Sequence, residues 1–381
     1  MSCSQARRVL SAFVVALALA LVSCAGEKPG SAAKAQGPVA EDKVLNVLNW
    51  SDYIAPDTLA KFESETGIKV NYDVFDSNEV LETKLLTGRT GYDVVVPTDY
   101  FLERQAKQGI LLQLDKSKLP NIANLDPAVL RQLEAGDPGN RFGLPYAGVL
   151  TGIGYNVDKV RKALGDMAID SWKLVFDPVY AAKLKGCGFT LLDQEGEVFV
   201  SSRIFLGLDP SSERPEDLLA VEAMLRKVRP FIRYFHSSQY INDLANGESC
   251  VAIGWSGDVM QARDRARDAG KGVKIAFAVP KEGVLRSFDM LAIPADAPHP
   301  GNAHKFINFL LRADISAEFT KFRKFPAANL AAEKLLGPEL LGDPIIFPPP
   351  EVIERLKPHR AESLAYARLA NRAWTRVRTG R

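Results

Sequence analysis

Four separated points in the chain bring aromatic rings together with carboxylates or hydroxyls. Trp50, Asp52 and Tyr53 follow a short apolar strand that begins near Val44. Thr98 and Tyr100 follow Asp93-Val94-Val95-Val96, and Trp255 with Asp258 follows Val251-Ala252-Ile253-Gly254. Asp289 stands inside the mostly apolar stretch 285–293, where an unpartnered acid is costly. Rings beside carboxylates, with no Arg or Lys in the set, suit an organic cation. An ammonium gains about 0.5–2 kcal/mol over a ring face, and charge-assisted hydrogen bonds to carboxylates add to it. A metal suits the set poorly, because rings supply no ligand atoms and the four His include no close pair at ligand spacing. No metal and no cofactor is expected.

These points must sit at strand ends. Residues 44–110 alternate strand and helix three times, with Ile68, Val70, Tyr72 and Val74 in the period of a half-buried strand. Pro56 is expected to open the first helix, whose Leu59 and Phe62 share a face and whose end is set by Gly67. The run 142–156 is long and extended, and is read as a crossing between two lobes; Leu285 to Ile293 is read as the return crossing. Between them a second α/β lobe is expected. Its strand Gly188 to Leu192 runs into Asp193-Gln194-Glu195-Gly196-Glu197, which opens a helix. Carboxylates there serve the helix dipole or a ligand. Pro344 to Pro350 is a strap without regular structure, and Trp374, in a basic stretch, is expected as a surface anchor. The expected fold class is α/β, two-lobed, with the ligand cleft between lobes at the carboxyl ends of strands.

Catalytic motifs are missing. Gly254-Trp255-Ser256-Gly257 is one residue short of a nucleophile elbow. Gly152-Ile153-Gly154 has Val157 where a dinucleotide fingerprint needs its third Gly. An exported enzyme acting on amines is therefore the weakest reading, and the expectation is no enzymatic activity.

The chain has 381 residues, 46% hydrophobic and 25% charged, enough for two lobes. Arg7 and Arg8 precede an apolar run from Val9 to Val22, too short to argue for a permanent span. Leu21-Val22-Ser23-Cys24 resembles a bacterial lipobox, which implies removal of residues 1–23 and lipid on Cys24; the alternative is an ordinary signal cut at a small residue. Residues 24–43 read as the lipidated, flexible tether. The net charge is +2, and the signal carries two Arg and no acid, so the mature chain is balanced. Nothing points to a nucleic-acid partner. Cys187 and Cys250 remain as an even pair in an oxidising compartment, expected as a disulfide, with two buried thiols as the alternative.

The chain resembles the periplasmic putrescine- and spermidine-binding proteins of bacterial polyamine ABC importers, nearest the putrescine type. The resemblance runs from about Leu45 to the C-terminus. It is carried by Asn49-Trp50-Ser51-Asp52-Tyr53-Ile54, Phe75 to Val80, Thr151 to Asn156, Arg233 to Gly247, Ala252 to Val259 and Phe288-Asp289-Met290. It implies an N-terminal α/β lobe of residues 44–147 plus 285–325 and a C-terminal lobe of 148–284 plus 326–381. By the same resemblance Trp50 and Trp255 are aromatic walls. Asp52, Asp258 and Asp289 bind ammonium groups, with Glu197 at the far end. Ser51, Tyr53 and Thr98 line the pocket with hydrogen-bonding groups.

Departures are legible too. Phe325 falls where the family has Tyr, and Ser287 where an aromatic is usual. Tyr100 is like the spermidine type, and His359 lies where the far end of a longer polyamine would be sensed. Cys187 and Cys250 match a pair in the putrescine type. The implied function is capture of a polyamine, putrescine first and spermidine or a related amine next, for an inner-membrane ABC permease. The implied protein is a periplasmic monomer held to the membrane by the Cys24 lipid. The alternative is a lipoprotein polyamine sensor docking on a membrane receptor.

Overall fold

A computed structural model describes residues 41–380. The lipobox Cys24, the signal segment and most of the expected tether lie outside the described residues.

The described body is built on one curled sheet of nine strands. They are β1 (Val44–Trp50), β2 (Lys69–Phe75), β3 (Val94–Val95), β4 (Gly143–Asn156), β5 (Phe189–Thr190), β6 (Val251–Trp255), β7 (Ile275–Ala278), β8 (Val284–Ala292) and β9 (Leu356–Lys357). Their order is β2-β1-β3-β8-β4-β6-β5, with β7 also on β4 and β9 also on β8. β1 pairs parallel with both β2 and β3, and Val47 and Leu48 are buried, as expected of a parallel sheet covered on both faces.

The two long antiparallel strands β4 and β8 run through the whole body. They pair from Gly143↔Ala292 to Thr151↔Leu285, with a shift in register between Pro145 and Ala147. Along β4 the core changes at one step. Leu144, Tyr146, Ala147 and Val149 pack in a first hydrophobic core, and Leu150 and Ile153 in a second. Along β8, Val284 and Leu285 belong to the second core and Phe288, Met290, Leu291 and Ala292 to the first. Two strands passing from core to core make a hinge, because their backbone is the lobes' shared support.

Local chemistry explains the elements on the first core. The helix Thr58–Thr66 starts two residues after Pro56, since Asp57 takes the N-cap position and Pro56 lies in the preceding turn. Gly67 ends it at φ 67°. Its Phe62 is fully buried, edge-on to Phe306 and Phe309 at 4.9 and 5.4 Å. Glu41 accepts from the backbone N–H groups of Gly301 and Asn302 at 2.7 and 2.8 Å, capping the helix Pro300–Leu310.

On the second core, Cys187 and Cys250 form a disulfide with Cα atoms 5.5 Å apart. The glycines of Gly152-Ile153-Gly154 serve packing: a Cβ on Gly154 would meet Val259 Cγ2 at 2.6 Å. Trp374 is not a surface anchor. It lies in the helix Leu364–Thr379, 5% exposed, edge-on to Phe199 and Phe235 at 5.7 and 5.2 Å. Its basic neighbours occupy the outer face of an amphipathic helix, which hid the buried stripe of Tyr366, Ala370, Ala373, Trp374 and Val377.

Candidate ligand-binding site

A cleft opens where the strand ends of the two cores face each other across the hinge. Its walls include Trp50, Ser51, Asp52, Tyr53, Thr98, Glu197, Trp255, Asp258, Ser287, Asp289 and Phe325. All of these were expected from the sequence. Tyr100 and His359 are not among its lining residues. Both border a neighbouring cavity with Glu79, Glu82, Arg104, Glu195 and Glu362, where their rings meet edge-on at 4.7 Å. The helix Asp99–Lys107 turns Tyr100 to the far side of its first turn from Thr98.

Each wall is fixed by its own support. The end of β1 carries Trp50, whose indole N–H donates to the Val96 carbonyl at 2.9 Å. Its ring packs on Phe75 at 4.5 Å and meets Trp255 edge-on at 5.8 Å. The two tryptophans come from opposite lobes, so the lobes are in contact here. Ser238 supports the same closure by donating to Asp76 at 3.0 Å, and Arg265 approaches Asp52 at 3.7 Å. Asp52 has φ 54°, a left-handed conformation that turns the chain sharply off β1, and its side chain is 62% exposed. It therefore sits at the mouth of the cleft, not its floor.

The floor is made by Asp289 and Glu197. Asp289, on β8, accepts from the Tyr53 hydroxyl and from Thr98 Oγ1, the latter at 3.0 Å. Thr98 is held in turn by Asn78, which accepts from its backbone N–H at 3.0 Å and donates to its hydroxyl at 2.8 Å. Glu197, in the first turn of the helix Glu195–Phe205, accepts from Thr151 on β4. The carboxylates are 6% and 3% exposed, and among the described residues neither has a cation within ion-pair distance.

Burial therefore dominates their electrostatics. It pushes Asp289 up to about 6, although the Tyr53 and Thr98 hydrogen bonds favour the charged form. Burial pushes Glu197 up to about 7, opposed by Thr151 and aided by the charge of Asp289. Holding Glu197 ionised without a partner costs on the order of 3 kcal/mol. An ammonium ligand recovers that cost, so the floor is built to gain from a cation.

Asp258 behaves differently, and here the expectation of a cleft without Arg or Lys is overturned. Arg323, 1% exposed, lines the cleft and donates from Nη2 to Asp258 Oδ1 at 2.7 Å. The other oxygen, Oδ2, accepts from the Tyr240 hydroxyl at 2.9 Å. Burial raises the Asp258 pKa, while Arg323 and Tyr240 pull it down. Arg323 closes the helix Ala313–Arg323, where a basic residue in the last turn reads as a partner of the helix dipole. That ordinary role concealed it. Gly257 lets the segment approach: a Cβ there would meet the Arg323 carbonyl at 2.6 Å and the Phe325 ring at 2.7 Å.

Asp76, Asn78, Ser237, Ser238, Ile241 and Val149 also border the cleft and were missed. Ser77 caps the helix Asn78–Thr87, which sets Asn78 at the helix start beside the cleft. Ser287, 2% exposed, faces the cleft from β8 opposite Val149. Phe325 packs on Tyr53 with ring centroids 5.6 Å apart. Among the described residues, no group of three or more His, Cys, Asp and Glu is placed to hold a metal ion.

Comparison with known proteins bears on this site. Residues 57–348 match the model of the bacterial extracellular solute-binding protein family. The chain is 51% identical over 344 residues to the putrescine-binding periplasmic protein PotF of Escherichia coli strain K12, covering 90% of this chain and 93% of that one. It is 50% identical over 343 residues to the putrescine-binding periplasmic protein SpuD of Pseudomonas aeruginosa strain UCBPP-PA14, covering 90% and 94%. Among solved structures, the TpPotD lipoprotein of Treponema pallidum superposes with a TM-score of 0.73 at 26% identity, over 88% of this chain and 99% of that one.

Proposed function

The chain belongs to the bacterial extracellular solute-binding proteins, and from that premise we propose that it captures a polyamine, putrescine first, for import by an ABC transporter. The observation that carries this reading is the pair of buried carboxylates, Asp289 and Glu197, set among Trp50, Tyr53 and Trp255 with no cation in ion-pair reach among the described residues. A desolvated carboxylate among rings gains most from an organic ammonium, which can hydrogen-bond to the acid and lie against a ring face. The rings also bury methylenes, at about 0.8 kcal/mol each.

The site is periplasmic, as in the putrescine-binding relatives. Lipidation of Cys24 ties the protein to the membrane beside its permease, as the Leu-Val-Ser-Cys sequence suggests. The lobes are residues 44–147 plus 285–325 and 148–284 plus 326–381, hinged on β4 and β8, and the protein acts as a monomer with no catalytic step. Spermidine or a related amine is the next candidate ligand. The test is calorimetric titration of unfolded and refolded protein with putrescine, cadaverine, agmatine and spermidine. Saturable one-to-one binding of at least one amine supports the reading, and absence of heat with all four overturns it.

A further inference from the structure

Arg323 changes what one end of the cleft can recognise. Asp258 is expected to take an ammonium, yet both its oxygens already accept hydrogen bonds, from Arg323 at 2.7 Å and Tyr240 at 2.9 Å. The guanidinium stands 5.1 Å from the Tyr53 ring centroid and 5.5 Å from that of Phe325, so it is stacked in place. Its Nη2 is used on Asp258. Its Nε and Nη1 are buried and find no acceptor among the described residues. Buried donors left unpaired are expensive, and more so when charged.

The two ends of the cleft thus differ in kind. Asp289 and Glu197 form an acidic floor with no cation at ion-pair distance among the described residues, although the Arg323 charge is felt at Asp289. The Asp258 end is a neutralised ion pair with unpaired guanidinium N–H groups. A diamine ammonium entering that end meets unpaired N–H donors and finds both Asp258 oxygens already engaged. An oxygen acceptor that reaches Nε or Nη1 from the cleft would satisfy an orphaned donor. Ser287 adds a small polar side chain on the same wall, in place of a bulky apolar one.

We propose that Arg323 is a specificity-determining residue that selects an amine bearing an oxygen acceptor at its far end, with the ammonium on Asp289 and Glu197. This rests on reading the cleft as an amine site and puts an acceptor-bearing amine ahead of putrescine as its preferred ligand. The shared chemistry is an oxygen a few methylenes from an ammonium, supplied by the acyl oxygen of a monoacylated diamine or by the carboxylate of an ω-amino acid. Those two sources differ in charge, so they separate experimentally.

The test is calorimetric titration of the refolded mature protein with putrescine, N-acetylputrescine and 4-aminobutyrate. It is repeated with Arg323→Leu and with the double variant Arg323→Leu/Asp258→Asn, which removes the unpaired acid if the single variant fails to fold. The readout is the ratio of putrescine Kd to the Kd of the acceptor-bearing amine. A charged hydrogen bond is worth a factor of about 10–100, so this ratio should fall at least tenfold in either variant. Loss confined to N-acetylputrescine assigns the acyl oxygen, and loss confined to 4-aminobutyrate the carboxylate. An unchanged ratio in a folded variant overturns the proposal while leaving the amine site intact. No binding of putrescine or either analogue to the wild type overturns the amine reading itself.

Discussion

Acidification should loosen amine binding through the cleft carboxylates, while those acids, together with the desolvated Glu79, Asp99 and Glu195 outside the cleft, make the ligand-free protein more stable. An ammonium ligand keeps its proton throughout, with a pKa of about 10. The complex requires Glu197 and Asp289 ionised, whereas without a ligand they titrate at about 7 and about 6. At pH 8 both are already ionised. At pH 5 a proton must leave each on binding, which costs about a hundredfold at Glu197 and about tenfold at Asp289. Affinity should therefore fall about a thousandfold between pH 8 and pH 5, or ~4 kcal/mol, with about two protons released per ligand at the acid end.

The stability trend has the opposite sign. Both acids have folded-state pKa values above the unfolded ones. Their contribution is fully present below about pH 4.5 and is lost as pH rises through 7. Glu103, Glu222 and Asp314 are held below the usual carboxylate range by their arginine partners, so they weaken the fold only below about pH 4.5. Titration calorimetry in two buffers of different ionisation enthalpy reads both affinity and proton release, and thermal unfolding without ligand reads stability. Affinity constant from pH 8 to pH 5, or proton uptake in place of release, would refute the reasoning.

Three further outcomes follow from the packing. Ser287→Phe should restore a ring against the ligand methylenes and tighten putrescine by about 1–2 kcal/mol, while a bulkier native ligand loses affinity by clash; titration of both proteins with the same amines decides it, and no response in any amine would mean Ser287 does not meet the ligand. Trp374→Ala should cost about 3–5 kcal/mol in urea unfolding, since the indole is buried against Phe199 and Phe235; a loss under about 1 kcal/mol would fit an exposed anchor instead. Reduction of the Cys187–Cys250 bridge, which spans 63 positions, should remove about 4 kcal/mol, read as a lower urea midpoint with reductant; no shift would show that the bridge constrains nothing.

The fold was legible where local pattern and tertiary role coincide. The extended run 142–156 is β4, Gly143–Asn156, almost residue for residue, because no helix period competes there. The strand-end tryptophans and Asp289 were legible because rings and acids at such positions have few ordinary explanations. Arg323 was not, since a basic residue in a last helical turn already has an ordinary one. Tyr100 and Thr98 looked equivalent in sequence, and only the first turn of the helix sends them into different cavities. Trp374 was misread because charge dominates its neighbours, although its spacing to Ala370 and Val377 carried the buried stripe.

The central claim is that a buried carboxylate floor, with no ion-pair partner among the described residues, captures the ammonium of the ligand. Asp289→Asn tests it most directly, because the amide keeps the shape, its oxygen can still accept from Tyr53 or Thr98, and its NH2 can donate to the other hydroxyl. Titrated with putrescine beside the wild type, the folded variant should bind at least about thirtyfold more weakly, in line with the 2–5 kcal/mol typical of losing one partner of a buried charge pair. Equal affinity in the two proteins, with unchanged circular dichroism, would contradict the account.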